Sequence, residues 1–298
     1  MEQPSGFFGI PDYGDGFSAL APEFVYASET GFCGIWKGTR DGKARIFKAL
    51  KPEYRGDPIC ESQLRKEYEI GLSLSHPNIC EYYAFVSLPS LGNCIEMEWV
   101  DGKTLEALLH EGIPVPQQGK ILTEICQALD YIHHKQVLHR DLKPENIMVT
   151  HNGGNVKILD FGLSDTDSHM VGKAAAGTRN YAAPEVLGGG HADVRSDIYS
   201  LGRIMLEMDA GYRRIAAKCC ADAPEDRYRQ ASEVLAALRR KRIAPIWLSV
   251  LLLVISVVGF LLFSSYKKND RRQEIDRTFQ SVTEEIGRQA GITVHGGL

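Results

Sequence analysis

Apolar and polar positions alternate through "ARIFKALKPEY" around Lys48, a period of two that predicts a strand. Upstream, "GIWKG" sets a β-branched residue and an aromatic ahead of "TRDGK", which predicts a second strand running into a turn. The period then changes. "ILTEICQALDYIHH" predicts an apolar helix, and a short loop joins it to the β-branched run that closes "VLHRDLKPENIMV", residues 137 to 149. "VKILDFGLS" predicts one more strand. From Ile243 to Phe263 the chain reads "IAPIWLSVLLLVISVVGFLLF", 21 residues without a charge. At about 1.5 Å per residue such a helix covers about 30 Å, the thickness of a bilayer core, and it is apolar all round where a soluble helix carries one stripe. This predicts a transmembrane helix. Beyond it, Ile275, Phe279, Val282 and Ile286 recur at helical spacing in residues 267–298, 32 residues that are too few to bury a core alone. An amphipathic helix that pairs with a partner or with its own copy fits that spacing; so does a solvated or membrane-surface tail.

Composition narrows the class. With 298 residues, 44% hydrophobic and 24% charged, the chain has room for one sizeable globular unit of one or two lobes plus appendages. A net charge of -4 leaves no basic excess for nucleic acid. The local basic run Arg239, Arg240, Lys241 and Arg242 precedes the apolar span directly, and Lys267, Lys268, Arg271 and Arg272 follow it, so the positive charges alone do not orient the helix. The seven cysteines form no C-x-x-C pair, and Cys219 and Cys220 fall in a helix-like run, which predicts reduced structural thiols in a cytosolic domain. The start, "MEQPSGFFGIPDYGDGFSALAPEF", has an acid at position 2, no basic opening and scattered Pro and Gly, and does not read as a signal peptide. His133, His134 and His139 supply no converging tetrahedral set for a metal.

The chemistry concentrates in two motifs. "VLHRDLKPENIMV" puts Asp141, Lys143 and Asn146 on one loop, and "VKILDFGLS" delivers Asp160 followed by Phe161 and Gly162. In these stretches the chain resembles the eukaryotic-type (Hanks-type) serine/threonine protein kinase superfamily, matching H-R-D-L-x-x-x-N and D-F-G at every defined position. The resemblance covers about residues 23 to 240 and implies phosphoryl transfer from ATP, in which the protein positions groups and neutralises charge. It implies that Asp141 orients the substrate hydroxyl, that Lys143 sits beside the transferring phosphate, and that Asn146 and Asp160 hold Mg²⁺ or Mn²⁺. A lysine at position 143 is the serine/threonine pattern. Lys48 then corresponds to the phosphate-binding strand lysine, paired with a glutamate of the next helix: Glu67 by counting back from "HPNI", or Glu69. "NCIEMEWVDGKTL" resembles the hinge, with Met97 as gatekeeper and the backbone of Glu98 and Val100 facing adenine. "GTRNYAAPEV" supplies Thr178, to touch the catalytic loop, and Glu185. "SDIYSLG" supplies Asp197, to hold the backbone of that loop, and "APEDRYRQ" supplies Arg227, to pair with Glu185. Arg140 precedes the catalytic aspartate, and Ser164, Thr166, Ser168 and Thr178 are the hydroxyls available for a regulatory phosphate.

The phosphate loop departs from the pattern. In "SETGFCGIWKG" one register makes Gly31 and Gly34 the second and third glycines, with Trp36 in place of the family's valine. The preferred register aligns "GIWKG" with the end of the motif, so that Ile35 caps the adenine, Ser28, Thr30 and Cys33 take the glycine positions, and Gly31 and Gly34 serve the hairpin tip. Weaker nucleotide clamping follows. A second departure is the interval of 29 residues between Asp197 and Arg227, shorter than is usual in the family.

The resemblance implies an α+β, bilobal fold. Its expected parts are a flexible segment 1–22, a small β-rich lobe 23–98, and a helical lobe 99–240 shortened after 208. The transmembrane helix 243–263 and a short tail 264–298 outside the membrane follow. Because ATP is cytosolic, the kinase part would face the cytoplasm, with protein substrates, the bilayer and a homodimer through the span or tail as partners and no nucleic acid. A membrane-anchored pseudokinase scaffold and a small-molecule kinase are the rival readings. The intact Lys48, Asp141, Asn146 and Asp160 oppose the first, and "DLKPEN" with "GTRNYAAPE" opposes the second.

Overall fold

The computed structural model describes residues 22–27, 31–161, 179–208 and 210–289, without the side chains of 210, 242–251 and 289. The chain divides into two units, Met1–Leu238 and Arg239–Leu298.

The first unit has two lobes. Its smaller lobe is an antiparallel sheet of β1 (Glu23–Ala27), β2 (Cys33–Arg40), β3 (Lys43–Leu50), β4 (Tyr82–Leu88) and β5 (Gly92–Glu98), in the order β1-β2-β3-β5-β4. Asp41 and Gly42 both take positive φ, 51° and 74°, the backbone that a two-residue hairpin needs to match strand twist. Alternation divides the strands between two faces. Ile35, Lys48 and Ile95 lie opposite one another across β2, β3 and β5 and share the inner face. Trp36, Phe47 and Glu96 share the outer face, where Phe47, Ala49, Val86, Leu88, Leu91 and Cys94 form a separate apolar cluster. Helix α1 (Pro58–Leu72) opens on Asp57, whose carboxylate accepts the backbone N–H groups of Ile59 and Cys60. It buries Leu64, Glu67 and Gly71, one stripe at helical spacing.

The larger lobe contains α2 (Leu105–Glu111), α3 (Val115–His134), a small sheet of β6 (Gly102–Thr104), β7 (Ile147–Thr150) and β8 (Val156–Ile158), then α4 (Pro184–Leu187), α5 (Val194–Leu206), α6 (Arg213–Cys219) and the first turns of α7 (Ala231–Gln289). Along α3, Ile121, Leu122, Ile125, Cys126, Leu129 and Ile132 are fully or almost fully buried, a face worth about 1.5–3 kcal/mol for each large side chain it removes from water. Between α5 and α7, α6 is the one α-helix among the described residues, flanked by single 3-10 turns at Ala210–Tyr212 and Pro224–Asp226. Cys219 is buried and burial pushes its thiol pKa well up, so it packs as a small apolar group.

In the second unit α7 carries its apolar side chains outward: Leu252, Leu253, Phe260 and Phe263 are each more than half exposed. By length and composition it is one helix able to cross a membrane.

Candidate active site

Three elements meet at Lys48. Its Nζ lies 2.7 Å from Glu67 Oε1 and 2.8 Å from Asp160 Oδ1, joining β3, α1 and the segment after β8. Of the two glutamates open to the sequence, Glu67 faces inward from α1 and is 2% exposed, whereas Glu69 points to solvent. The Tyr82 hydroxyl donates a second hydrogen bond to Glu67 Oε1 at 3.2 Å. Burial pushes the Glu67 carboxyl up to about 7 while Lys48 pulls it down. Burial likewise works against the Lys48 ammonium, but Asp160 and Glu67 outweigh it and hold its pKa above the ordinary lysine value.

The loop between α3 and β7 carries Asp141, Lys143 and Asn146. Lys143 Nζ stands 2.8 Å from Asp141 Oδ2, and Asn146 Nδ2 donates to the same oxygen at 3.0 Å and to the Asp141 carbonyl at 2.8 Å. Asp141 Oδ1 is buried and accepts no hydrogen bond among the described residues. One carboxylate oxygen is therefore held by Lys143 and Asn146, and the other is left with unused acceptor capacity. Asp160 and Asn146 offer a carboxylate and an amide oxygen, hard donors of the kind a magnesium ion takes alongside phosphate and water. No group of three His, Cys, Asp or Glu side chains suited to a metal occurs among the described residues.

The loop is held from beneath. Asp197, 1% exposed on α5, accepts the His139 N–H and the Arg140 N–H at 2.9 Å each, and His133 Nε2 adds a contact at 2.9 Å. Burial opposes its charge, yet these donors keep its pKa below the usual aspartate value. Arg140 and Asp160 adopt φ of 64° and 61°, a left-handed backbone costing of order 1–3 kcal/mol at each non-glycine residue. Such strain persists only where surrounding contacts impose it. His139 Nε2 meets the Leu159 carbonyl at 2.9 Å and its ring packs on Phe161, 5.2 Å between centroids, which ties the two loops together. Lower down, Arg227 grips Glu185 with two parallel bonds of 2.8 Å, and Ser196 Oγ donates to the same carboxylate at 2.9 Å.

The roof is less closely specified. Ile35 shares the inner face with Lys48, and Trp36 lies on the outer face opposite Phe47. Met97 is 5% exposed and opposite Ile46; the Glu98 N–H is spent on the Glu81 carbonyl at 2.8 Å, and Val100 is buried. Cys33 stands opposite Leu50 on the inner face, where burial raises its thiol to about 12 and the charges of Lys48, Glu67 and Asp160 reach it. The expectation that Gly34 serves the hairpin tip is corrected: it is the second residue of β2, paired with Ala27 and Ala49. It is glycine because the Trp36 indole lies 2.6 Å from where a Cβ would stand. Gly31 sits in a bend ahead of β2, whereas Ser28, Thr30, Thr178 and the hydroxyls of Ser164, Thr166 and Ser168 lie outside the described residues.

Sequence reasoning missed Tyr82, the His133 contact to Asp197, and Ser196. Gly71 is a signal for the first: a Cβ there would stand 2.5 Å from the Tyr82 ring, so a glycine in the middle of α1 marks a large neighbour.

With this geometry in view, comparison with known proteins is specific. The protein kinase domain family matches residues 31–234. The chain is 39% identical over 184 residues to "Probable serine/threonine-protein kinase SCO3848" of Streptomyces coelicolor, a match covering 57% of this chain and 27% of that protein. It is 37% identical over 174 residues to serine/threonine-protein kinase PknB of Mycobacterium leprae, covering 55% and 28%. The aligned part thus amounts to less than a third of the length of these curated relatives. Among solved structures, the PknI kinase domain of Mycobacterium tuberculosis superposes with a TM-score of 0.57 at 23% identity, over 74% of this chain and 94% of that one, a likeness of fold.

Proposed function

Since the chain belongs to the protein kinase family, we propose that it is an ATP-dependent serine/threonine protein kinase tethered to a membrane by α7. The family uses ATP and a divalent metal; here the metal is Mg²⁺ or Mn²⁺. The observation that carries the reading is the joint assembly of Lys48 with Glu67 and Asp160 and of Asp141 with Lys143 and Asn146.

Bound ATP with its metal supplies the phosphoryl group and neutralises part of its charge. Lys48, held by Glu67, would bind the α- and β-phosphates, and Asn146 and Asp160 would hold the metal. The Asp141 carboxylate accepts the proton of the substrate hydroxyl as the hydroxyl oxygen bonds to the γ-phosphorus, and the bond from that phosphorus to the β–γ bridging oxygen breaks, so that ADP leaves. Lys143 faces the moving charge as a compact cation. Ile35 and the Glu98 and Val100 backbones enclose the base, and Gly31 belongs to the loop over the phosphates. Asp197 keeps the catalytic loop in shape, while Glu185 and Arg227 brace the segment that seats a protein substrate. Arg140 and Thr178 belong to the activation machinery.

The kinase unit faces the cytoplasm, where ATP is, and the segment after the span lies outside. Self-association through the span or that segment belongs to the same reading. The rival, a membrane-anchored scaffold with weak or no nucleotide binding, draws its support from the glycine-poor phosphate loop and from the short interval between Asp197 and Arg227. The test is transfer of labelled γ-phosphate by the full chain in detergent, with Mg²⁺ and a generic basic protein, beside Asp141→Asn. Label on serine or threonine that the variant loses supports the kinase. A chain that MgATP stabilises thermally but that transfers nothing supports the scaffold.

A further inference from the structure

We propose that two copies of this chain pair in parallel through the stripe Ile275, Phe279, Val282 and Ile286, forming a short two-stranded coil beyond the apolar span. The parallel sense rests on the membrane-anchored reading above; the stripe itself does not.

Helix α7 continues to Gln289, and these four side chains are 58%, 75%, 52% and 61% exposed. Their spacing of four, three and four is that of the core positions of a coiled-coil heptad. At about 100° per residue they fall within about 60° of arc. The opposite side carries Lys267, Asp270, Glu274, Arg277, Glu284 and Arg288. Among the described residues nothing covers this narrow apolar ridge.

Charge decides what covers it. A helix lying on anionic lipid carries an excess of Lys and Arg on its polar side, but here three positive residues, Lys267, Arg277 and Arg288, are balanced by three negative, Asp270, Glu274 and Glu284. A second copy fits better. The positions flanking the ridge are Arg271 on one side and Asp276 on the other, five residues on. In a parallel pair this is the spacing at which one helix meets its partner across the seam, so Arg271 of each copy faces Asp276 of the other. The next such positions, Thr278 and Thr283, are neutral and oppose nothing. Two heptads alone are short for a stable coil. Anchoring both helices in one bilayer imposes the same direction on each and raises their effective concentration, which offsets that shortness.

The test uses the full chain in vesicles of phosphatidylethanolamine and phosphatidylglycerol. Ile275→Cys and Val282→Cys place thiols on the ridge, and Gln280→Cys and Glu284→Cys place them on the far side. Copper phenanthroline oxidises each, with the unsubstituted chain as the blank for its seven native cysteines. The ridge thiols should give at least about tenfold more covalent dimer than the far-side thiols, since a disulfide requires Cβ atoms about 3.5–4.5 Å apart. At limiting protein-to-lipid ratio, Arg271→Asp should lower the ridge yield about two- to fivefold, and adding Asp276→Arg should restore it. Equal yields at all four positions, no dimer above the blank, or failure of the double reversal to restore pairing would overturn the proposal. Alkaline carbonate extraction of the same vesicles reports separately on the anchor. A chain that washes off but still crosslinks at the ridge contradicts the membrane reading and leaves the coil standing.

Discussion

On the catalytic-loop side of the cleft, Asp197 is 1% exposed and collects two backbone N–H groups and an imidazole; on the opposite side, Phe24, Val25 and Tyr26 of β1 are 58%, 47% and 61% exposed, and Cys33 lies opposite Leu50, at a glycine position in the preferred register of the phosphate loop. The floor is over-determined by buried polar contacts, and the roof is an edge of sheet with one side in solvent. Charge must be positioned closely to move a phosphoryl group, so a lost floor contact removes the reaction. Adenine and phosphate can be covered by several side chains and backbone amides, so a substituted roof changes affinity first. The contrast predicts a kinase whose turnover depends on its floor and whose nucleotide affinity depends on its roof.

The largest break should come from Asp141→Asn, which keeps the shape of the loop but removes the proton acceptor: kcat falls about 10²- to 10⁴-fold, with MgATP still stabilising the protein in a thermal melt. Arg227→Ala attacks the floor through its support. It leaves Glu185 without its bidentate partner, and urea unfolding should report a loss of about 3–5 kcal/mol, since the Arg227 side chain is fully buried. Acid should sharpen the same point. Asp197 and Glu185 sit below their usual values of 3.8 and 4.5, so the stability they confer is complete above that range. As pH falls, the unfolded chain takes up protons first, and stability is lost as pH drops through the folded-state values. Tyr82→Phe removes one donor from Glu67 and should cost about 0.5–1.5 kcal/mol with a modest fall in kcat, because Lys48 still holds the carboxylate.

How far the sequence carried the account follows the same division. Asp141, Lys143 and Asn146 were legible because they lie within six residues and contact one another directly. The period-two strand around Lys48 and the Asp41–Gly42 turn were legible because each is set by neighbours along the chain. Glu67 and Glu69 stayed open because the choice depends on which side of α1 meets the sheet. Leu64, Glu67 and Gly71 share the buried stripe, so a carboxylate stands where an apolar residue would, and only the distant Lys48 and Tyr82 explain it. Gly34 misled for a comparable reason. It looked like a loop glycine, but it accommodates the Trp36 ring on the outer face of the sheet, a packing demand that no spacing rule encodes.

The most direct test of the division between floor and roof is the dependence of phosphoryl transfer on MgATP for the full chain and for Cys33→Gly, whose new glycine can bring its backbone closer to phosphate. The account predicts saturable turnover in the unsubstituted chain, with KM for ATP a few-fold lower in the variant and kcat unchanged within about twofold. Absence of turnover in both at saturating MgATP, or a kcat that appears only in the variant, would contradict it.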